Sequence, residues 1–263
     1  MSAAAPFEKR AGRAELLAKE NAAAAEPLRF AAALFRIQGR LAAALSARHE
    51  DVPLTGRLPD DVDRLLDLAE GLCAFAAKEG PPELAELAQA RAGEPPEAAR
   101  ARLFLYWEGE RESADDYLSR AVLRPYVETL ARLGVPPDRI HRDGHCPYCG
   151  GRPIVSFRRG DPESHGAARW LSCGLCGTEW LFSRIRCPSC GEEDPAKLPA
   201  FQGGTHAAVR IEACETCRRY VKSIDLTIDA RPLPEVDDLA SIALDLWAME
   251  QGYDRIQPGW AGI

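Results

Sequence analysis

Four Cys-x-x-Cys pairs take eight of the nine cysteines in this chain of 263 residues, and their spacing repeats. Cys146/Cys149 and Cys173/Cys176 are separated by 23 residues, and so are Cys187/Cys190 and Cys214/Cys217. The second set is the first displaced by 41 positions. A Cys-x-x-Cys turn places two sulfurs a few ångströms apart, and two such turns supply the four ligands of a tetrahedral metal centre. The candidate ligands are therefore Cys146, Cys149, Cys173 and Cys176 for a first site, and Cys187, Cys190, Cys214 and Cys217 for a second. Equal insertions favour this sequential grouping. A nested grouping, joining Cys173/Cys176 to Cys187/Cys190 and the outermost pairs to each other, uses the same residues.

The repeat extends beyond the sulfurs. Cys146-Pro147-Tyr148-Cys149-Gly150 aligns with Cys187-Pro188-Ser189-Cys190-Gly191, His165 with His206, and Arg169 with Arg210. The expectation is two near-copy sites, each closed by its own half. Four thiolates suit zinc and equally suit iron, so the metal stays open. A full four-sulfur shell leaves no position for a substrate, which argues against hydrolytic metal catalysis. With the shells full, His165 and His206 read as solvated turn residues, and His145 as a hydrogen-bond donor beside the cysteines. His49 and His141 have no partner legible in sequence. Cys73 lies on an apolar helical face and reads as core.

The remainder divides by composition. Residues 1–140 read as a helical domain. Apolar residues from Leu28 to Leu45 recur at helical spacing, and a helix from about Asp60 stops at Gly80-Pro81-Pro82. Shorter helices fit 82–92 and 95–108. Ser113 with Asp116 resembles a capping box opening a helix to Leu133, kinked or split at Pro125. Short β-rich runs punctuated by proline and glycine then fill 141–186 and 187–230. A last helix, about Val236 to Gln251 within 231–263, shows Leu239, Ile242, Ala243, Leu246 and Trp247 as its apolar face. Asp237 and Asp238 read as first-turn acids facing the helix dipole. The fold class expected is α+β: an N-terminal all-helical domain, two tandem rubredoxin-like or zinc-ribbon β modules, and a C-terminal helix.

Charge limits the partners. The chain carries a formal net charge of −7, and the cysteine-rich stretch 141–227 is only slightly basic, with 12 Lys+Arg against 10 Asp+Glu. Arg158, Arg159, Arg218 and Arg219, with Tyr148, Trp170 and Trp180, offer a local basic and aromatic face. So small an excess argues against nucleic acid as the partner. The N-terminus lacks the apolar core of a secretory signal, and no run approaches a membrane span, so cytoplasmic location without stable membrane insertion is expected. Reduced thiols there point to metal or redox chemistry rather than disulfides. No P-loop, dinucleotide fingerprint, nucleophile elbow or His-Glu-x-x-His is present, and the chain reads as a non-enzyme.

The cysteine neighbourhoods resemble a known family. Cys146-Pro-Tyr-Cys-Gly-Gly-Arg-Pro153, Leu171-Ser-Cys-Gly-Leu-Cys-Gly-Thr-Glu-Trp180, Arg184-Ile-Arg-Cys-Pro-Ser-Cys-Gly191, and Cys214-Glu-Thr-Cys217 followed by Tyr220-Val-Lys222 resemble the FdhE family of formate dehydrogenase accessory proteins. So do Asp237-Asp-Leu-Ala-Ser241, Ala243-Leu-Asp-Leu246 and Glu250-Gln-Gly-Tyr253. The likeness is close over about 145–254 and weaker in the helical half. It implies a cytoplasmic maturation factor that binds the catalytic subunit of respiratory formate dehydrogenase and carries iron in two rubredoxin-like sites, with zinc the alternative. It leaves self-association and the chemical step open. A rubredoxin-like electron-transfer protein and, behind it, a zinc-ribbon nucleic-acid binder are the competing readings.

Overall fold

The computed structural model of the chain describes residues 2–109, 116–161, 166–204 and 206–262. It comprises two compact units: Met1–Gly12 with Phe30–Ile140, and Arg13–Arg29 with His141–Ile263. Helices α1 (Ala5–Glu20) and α2 (Ala25–Asp51) contribute to both. The first unit adds α3 (Leu58–Asp61), α4 (Asp63–Glu79), α5 (Pro82–Ala92), α6 (Pro96–Glu108) and α7 (Tyr117–Leu133). Leu34, Phe35, Leu45, Leu65, Leu72, Leu123, Tyr126 and Leu130 are buried in its core.

Helix α7 runs unbroken through Pro125, where a kink or split is expected. Proline has no N–H to offer the carbonyl of Ala121 four residues back. The fully buried Gln38 of α2 fills the gap, its Nε2 donating to Ala121 O at 2.8 Å. Asp116 caps the helix by accepting from the Leu118 and Ser119 amides. Ser113, its expected partner in the cap, lies outside the described residues. The buried carboxylate of Asp61 gathers the loop before α3, accepting from the Thr55 and Gly56 amides and, at 2.7 Å, from Tyr126 OH. His49 accepts from the Leu54 amide at 2.8 Å through Nδ1, so it has a partner that sequence did not disclose.

The second unit is built on a sheet of β1 (Pro153–Asp161), β2 (Gly166–Cys173), β3 (Glu179–Leu181), β4 (Ala200–Gln202), β5 (Val209–Ala213), β6 (Arg219–Asp225) and β7 (Asp254–Arg255). The strand order is β3-β2-β1-β6-β5-β4, with β7 also paired to β6. Each cysteine half contributes an antiparallel three-stranded ribbon. The parallel pairing of β1 with β6, Ser156 opposite Ser223, fuses the two ribbons into one sheet. The β1–β6 and β6–β7 pairings are long-range, and the two-residue β7 has no pattern of its own, so neither was legible in sequence.

The C-terminal segment is not one helix. It comprises α8 (Pro234–Asp237), a 3-10 turn at Asp238–Ser241, and α9 (Ile242–Glu250). The break follows from Lys222 on β6. Its fully buried ammonium takes the Asp238 carbonyl at 2.6 Å and the Ser241 carbonyl at 3.4 Å, acceptors that a continuous helix would use internally. Lys222 also pairs with Asp238 at 3.1 Å and with Asp245, while Arg255 pairs with Asp238 at 2.6 Å and Asp245 at 3.0 Å. Tyr220 OH donates to Asp245 at 2.8 Å. Asp237 and Asp238 do lie in first turns, of α8 and of the 3-10 turn, and both are also ion-paired: Asp238 is buried between Lys222 and Arg255, and Asp237 pairs with Arg13.

The same network corrects the buried face of the last helix. Asp245 and Ala248 face inward, with Leu244 and Trp247 packed beside them on Ile211, Ala213 and Tyr220, whereas Ala243 and Leu246 are exposed. An acid sits at the centre of the docking face because two buried cations meet it there. Hydrophobic periodicity has no way to register such a pair.

Candidate metal centres

The turns that carry the cysteines repeat to the level of single backbone hydrogen bonds. The Cys146 amide donates to Gly151 O at 2.9 Å, and that of Cys187 donates to Glu192 O at 2.8 Å. The Cys173 amide donates to Thr178 O, and that of Cys214 to Arg219 O, both at 2.9 Å. Gly150 and Gly191 close the first turns with φ of 67° and 80°. Gly177 and Arg218 close the second turns with φ of 71° and 56°. Arg218 is the only non-glycine residue at positive φ among those described, which marks how strictly this turn sets its backbone. The β2–β3 register also recurs in β5–β6: Ser172 faces Glu179 and Leu171 faces Trp180, as Ala213 faces Tyr220 and Glu212 faces Val221. Only the first strands diverge. β4 is short and meets β5 with Ala200 opposite Glu212.

These turns bring the sulfurs together in two groups. The Sγ atoms of Cys146, Cys149, Cys173 and Cys176 all lie within 4.8 Å of one another, and so do those of Cys187, Cys190, Cys214 and Cys217. The grouping is sequential; the nested alternative is not the arrangement present. Cross-turn separations are 3.6 Å for Cys146–Cys176 and 3.5 Å for Cys149–Cys173. In the second group they are 3.8 Å for Cys187–Cys217 and 3.7 Å for Cys190–Cys214.

The donor set fits a metal on two counts. A tetrahedron with metal–sulfur bonds of about 2.3 Å has sulfur–sulfur edges of about 3.8 Å, close to the spacings found. Backbone amides are also aimed at sulfur: Leu175 N and Cys176 N at Cys173 Sγ (3.3 and 3.5 Å), and Ser189 N at Cys187 Sγ (3.4 Å). Such donors favour thiolate over thiol. The protonation balance within each group points the same way. Hydrogen bonds from Cys149, Cys173 and Cys176 hold Cys146 well below the usual thiol range, while the same contacts and burial push Cys149 and Cys176 above it. In the second group a hydrogen bond from Cys187 lowers Cys217 to about 5, and Cys187 is raised. Four thiols this close share their protons. A divalent ion would replace those protons and let all four ionise.

Neighbouring polar groups hold the turns rather than fill the sites. His145 Nδ1–H donates to Gly150 O at 3.0 Å, and burial lowers its pKa. His141 Nε2–H donates to Tyr148 O at 3.1 Å. His206 is half-buried with its pKa lowered by burial, and His165 lies outside the described residues. The repeat-equivalent arginines converge on one acid. Buried Arg169 reaches Glu212 at 2.8 Å, and Arg210 donates to the same carboxylate at 3.0 Å. Burial alone would raise Glu212, but the two guanidiniums hold it below the usual carboxylate range. Arg158, Arg159 and Arg218 each have a carboxylate partner in Asp225, Glu179 and Glu215. Cys73 is buried in the helical unit, and its thiol is raised by burial.

The two sites differ in cover. In the first, Cys146, Cys149, Cys173 and Cys176 are 1%, 0%, 0% and 6% exposed. In the second, Cys187 and Cys214 are 5% and 1% exposed, but Cys217 is half-buried and Cys190 is exposed. The expectation of near copies holds for the backbone turns and fails for their surroundings.

Comparison with known proteins places these features. Residues 145–184 match the family model described as FdhE, central domain, and residues 185–260 match FdhE, C-terminal domain. A protein FdhE homolog of Rhizobium meliloti is 32% identical over 275 residues, covering 95% of this chain and 87% of its own length. A protein FdhE homolog of Aquifex aeolicus is 39% identical over 141 residues, 53% of this chain and about half (49%) of its own length. The crystal structure of the FdhE protein from Pseudomonas aeruginosa superposes with a TM-score of 0.68 at 25% identity, covering 97% of this chain and 94% of that one. Among the described residues no helix is long and apolar enough to cross a membrane.

Proposed function

The chain belongs to the FdhE family, and from that membership we propose that it is an accessory protein for the maturation of a respiratory formate dehydrogenase. In this reading it binds the catalytic subunit in the cytoplasm and turns over no substrate of its own. The eight cysteines of the two sulfur clusters are its metal ligands. Residues 141–186 form one metal module and 187–230 the other, following the helical domain of 1–140 and preceding the C-terminal segment of 231–263. The observation that carries the reading is the pair of four-sulfur clusters, set in the segments that match the family.

Each bound ion would cross-link two turns that backbone hydrogen bonds already hold side by side, and iron would add one-electron chemistry that zinc lacks. The chain's own residues do the rest. The Cys-x-x-Cys turns orient the sulfurs, the amides of Leu175, Cys176 and Ser189 stabilise thiolate, and His145 fixes the loop of the first turn.

Co-purification tests the client assignment. The tagged chain should retain the catalytic subunit of formate dehydrogenase from cells that make both, and deleting its gene should abolish formate dehydrogenase activity while the subunit is still synthesised. Normal activity in the deletion strain, with no association, would overturn the proposal.

A further inference from the structure

The difference in cover assigns different roles to two sites whose backbones are alike. Around the first site glycine backbone and Leu175 press on the sulfurs, and Thr178 Oγ1 stands 3.1 Å from Cys176 Sγ. A Cβ added to Gly151 would lie 2.7 Å from Cys173 Sγ and 3.2 Å from Cys149 Sγ, so the backbone there is pressed against sulfur. Leu175 is buried beside the cluster. The chain at Gln257 closes over Gly174, where an added Cβ would stand 3.0 Å from Gln257 Cγ. The repeat replaces each of these covers with a polar residue. Glu192 stands where the first half has Gly151, Glu215 where it has Gly174, and Thr216 where it has Leu175. Glu215 and Thr216 are exposed, and Thr216 Oγ1 donates to Glu192 across the turn. Cys190 reaches solvent directly.

The second site is also open from behind. A cavity of about 100 Å³ is lined by its two buried ligands, Cys187 and Cys214, together with Arg184, Arg210 and Arg219. Arg210 shares the Glu212 carboxylate with Arg169. Among the described residues, Arg184 donates to Ala167 O and Arg219 to Arg255 O. This side of the site is rich in arginine, with Glu212 the one acid among the described lining residues.

We propose that the second cluster is an exchange site, where a thiolate-bearing acceptor takes over the metal through Cys190 and Cys217, while the first cluster is a permanent structural site. The proposal rests on the reading of the eight cysteines as metal ligands and is independent of the client. The exchange is a ligand substitution without redox change. With a metal bound, the acceptor's thiolate sulfur would replace Cys190 Sγ and then Cys217 Sγ as donors, and the released cysteines would take up protons from solvent. In the first site every sulfur is covered, so the same attack requires the turn to open first.

Pulse alkylation of the full chain loaded with zinc tests this. The loaded protein is treated with N-ethylmaleimide, cysteine peptides are quantified by mass spectrometry, and retained zinc is counted alongside. Cys190 and Cys217 should be modified at least about tenfold faster than Cys146, Cys149, Cys173 or Cys176, as their exposure dictates. One ion of two should leave in the fast phase, and added glutathione should release the same ion first. Equal rates at both clusters, or faster modification of the first, would overturn the proposal while leaving the ligand assignment intact. Failure to retain any zinc after loading would instead refute the ligand assignment, and the exchange site with it. Cys190→Ser adds a second arm: the protein should stay folded by circular dichroism and bind one ion.

Discussion

Replacing Lys222 with methionine should cost the second unit about 3–5 kcal/mol, the usual penalty for stripping one partner from a buried ion pair. Lys222 and Arg255 balance Asp238 and Asp245 in a site where all four side chains are at most 5% exposed. At an effective dielectric of about 20, the 3.1 Å pair of Lys222 with Asp238 alone attracts by about 5 kcal/mol. Part of that is recovered when the ammonium no longer has to be desolvated. What remains is a net buried negative charge on Asp238 and Asp245, plus a Ser241 carbonyl that loses the Lys222 donor and an Asp238 carbonyl left with Ser241 Oγ. Methionine keeps the aliphatic stem, so packing is largely preserved. Urea denaturation followed by far-UV circular dichroism measures the loss. Asp245→Asn added to Lys222→Met restores the charge balance and should recover about 2 kcal/mol, within the range of couplings between contacting residues. A loss below about 1 kcal/mol for Lys222→Met, or strict additivity in the double variant, would refute the reasoning.

Other perturbations test separate parts of the molecule. Gln38→Leu leaves the Ala121 carbonyl under Pro125 without a donor and should destabilise the helical unit by about 1–3 kcal/mol, read as a lowered urea midpoint at unchanged slope. Gly151→Ala should reduce bound metal from two ions to one, because its Cβ collides with Cys173 Sγ, whereas Glu192→Ala at the equivalent position should keep both by elemental analysis. Apparent zinc affinity should rise with pH through the neutral range. Each ion displaces protons from thiols whose ordinary pKa is about 8.5, so zinc competition titrations between pH 6 and 8 should show tighter binding at the higher value.

Much of this architecture was legible in sequence wherever the signal was local. The 41-residue repeat gave the sulfur groups, and the Gly150 and Gly191 turns followed from the same alignment, because a knuckle is built by residues within a few positions of one another. Helix boundaries at Gly80 and Gly134 were marked by their own residues. Features that depend on distant partners were hidden. Nothing near Pro125 announces Gln38, and nothing near Asp245 announces Lys222 and Arg255, so neither the continuity of α7 through Pro125 nor the buried face of the last helix is written in local pattern. The parallel β1–β6 joint is likewise a long-range pairing between two ribbons that each look complete.

The difference between the two sites belongs to neither group. Gly151 against Glu192, Gly174 against Glu215 and Leu175 against Thr216 stand in the aligned repeat, and each exchanges a small or apolar cover for a polar one. That signal was readable, but the matching cysteines dominated the comparison. The stretches Tyr220-Val-Lys222 and Asp237-Asp-Leu-Ala-Ser241, on which the resemblance partly rests, take on a physical meaning as well. They supply much of the buried charge network that docks the C-terminal segment on the metal-module sheet.

The central claim is that the two sulfur clusters are metal centres, and counting metal in the protein tests it most directly. Elemental analysis with optical spectra on anaerobically purified full-length protein should give two ions per chain, as iron, zinc or both, with all eight cysteines reduced. Protein that carries no metal when isolated and takes up none when offered zinc or ferrous iron would contradict it.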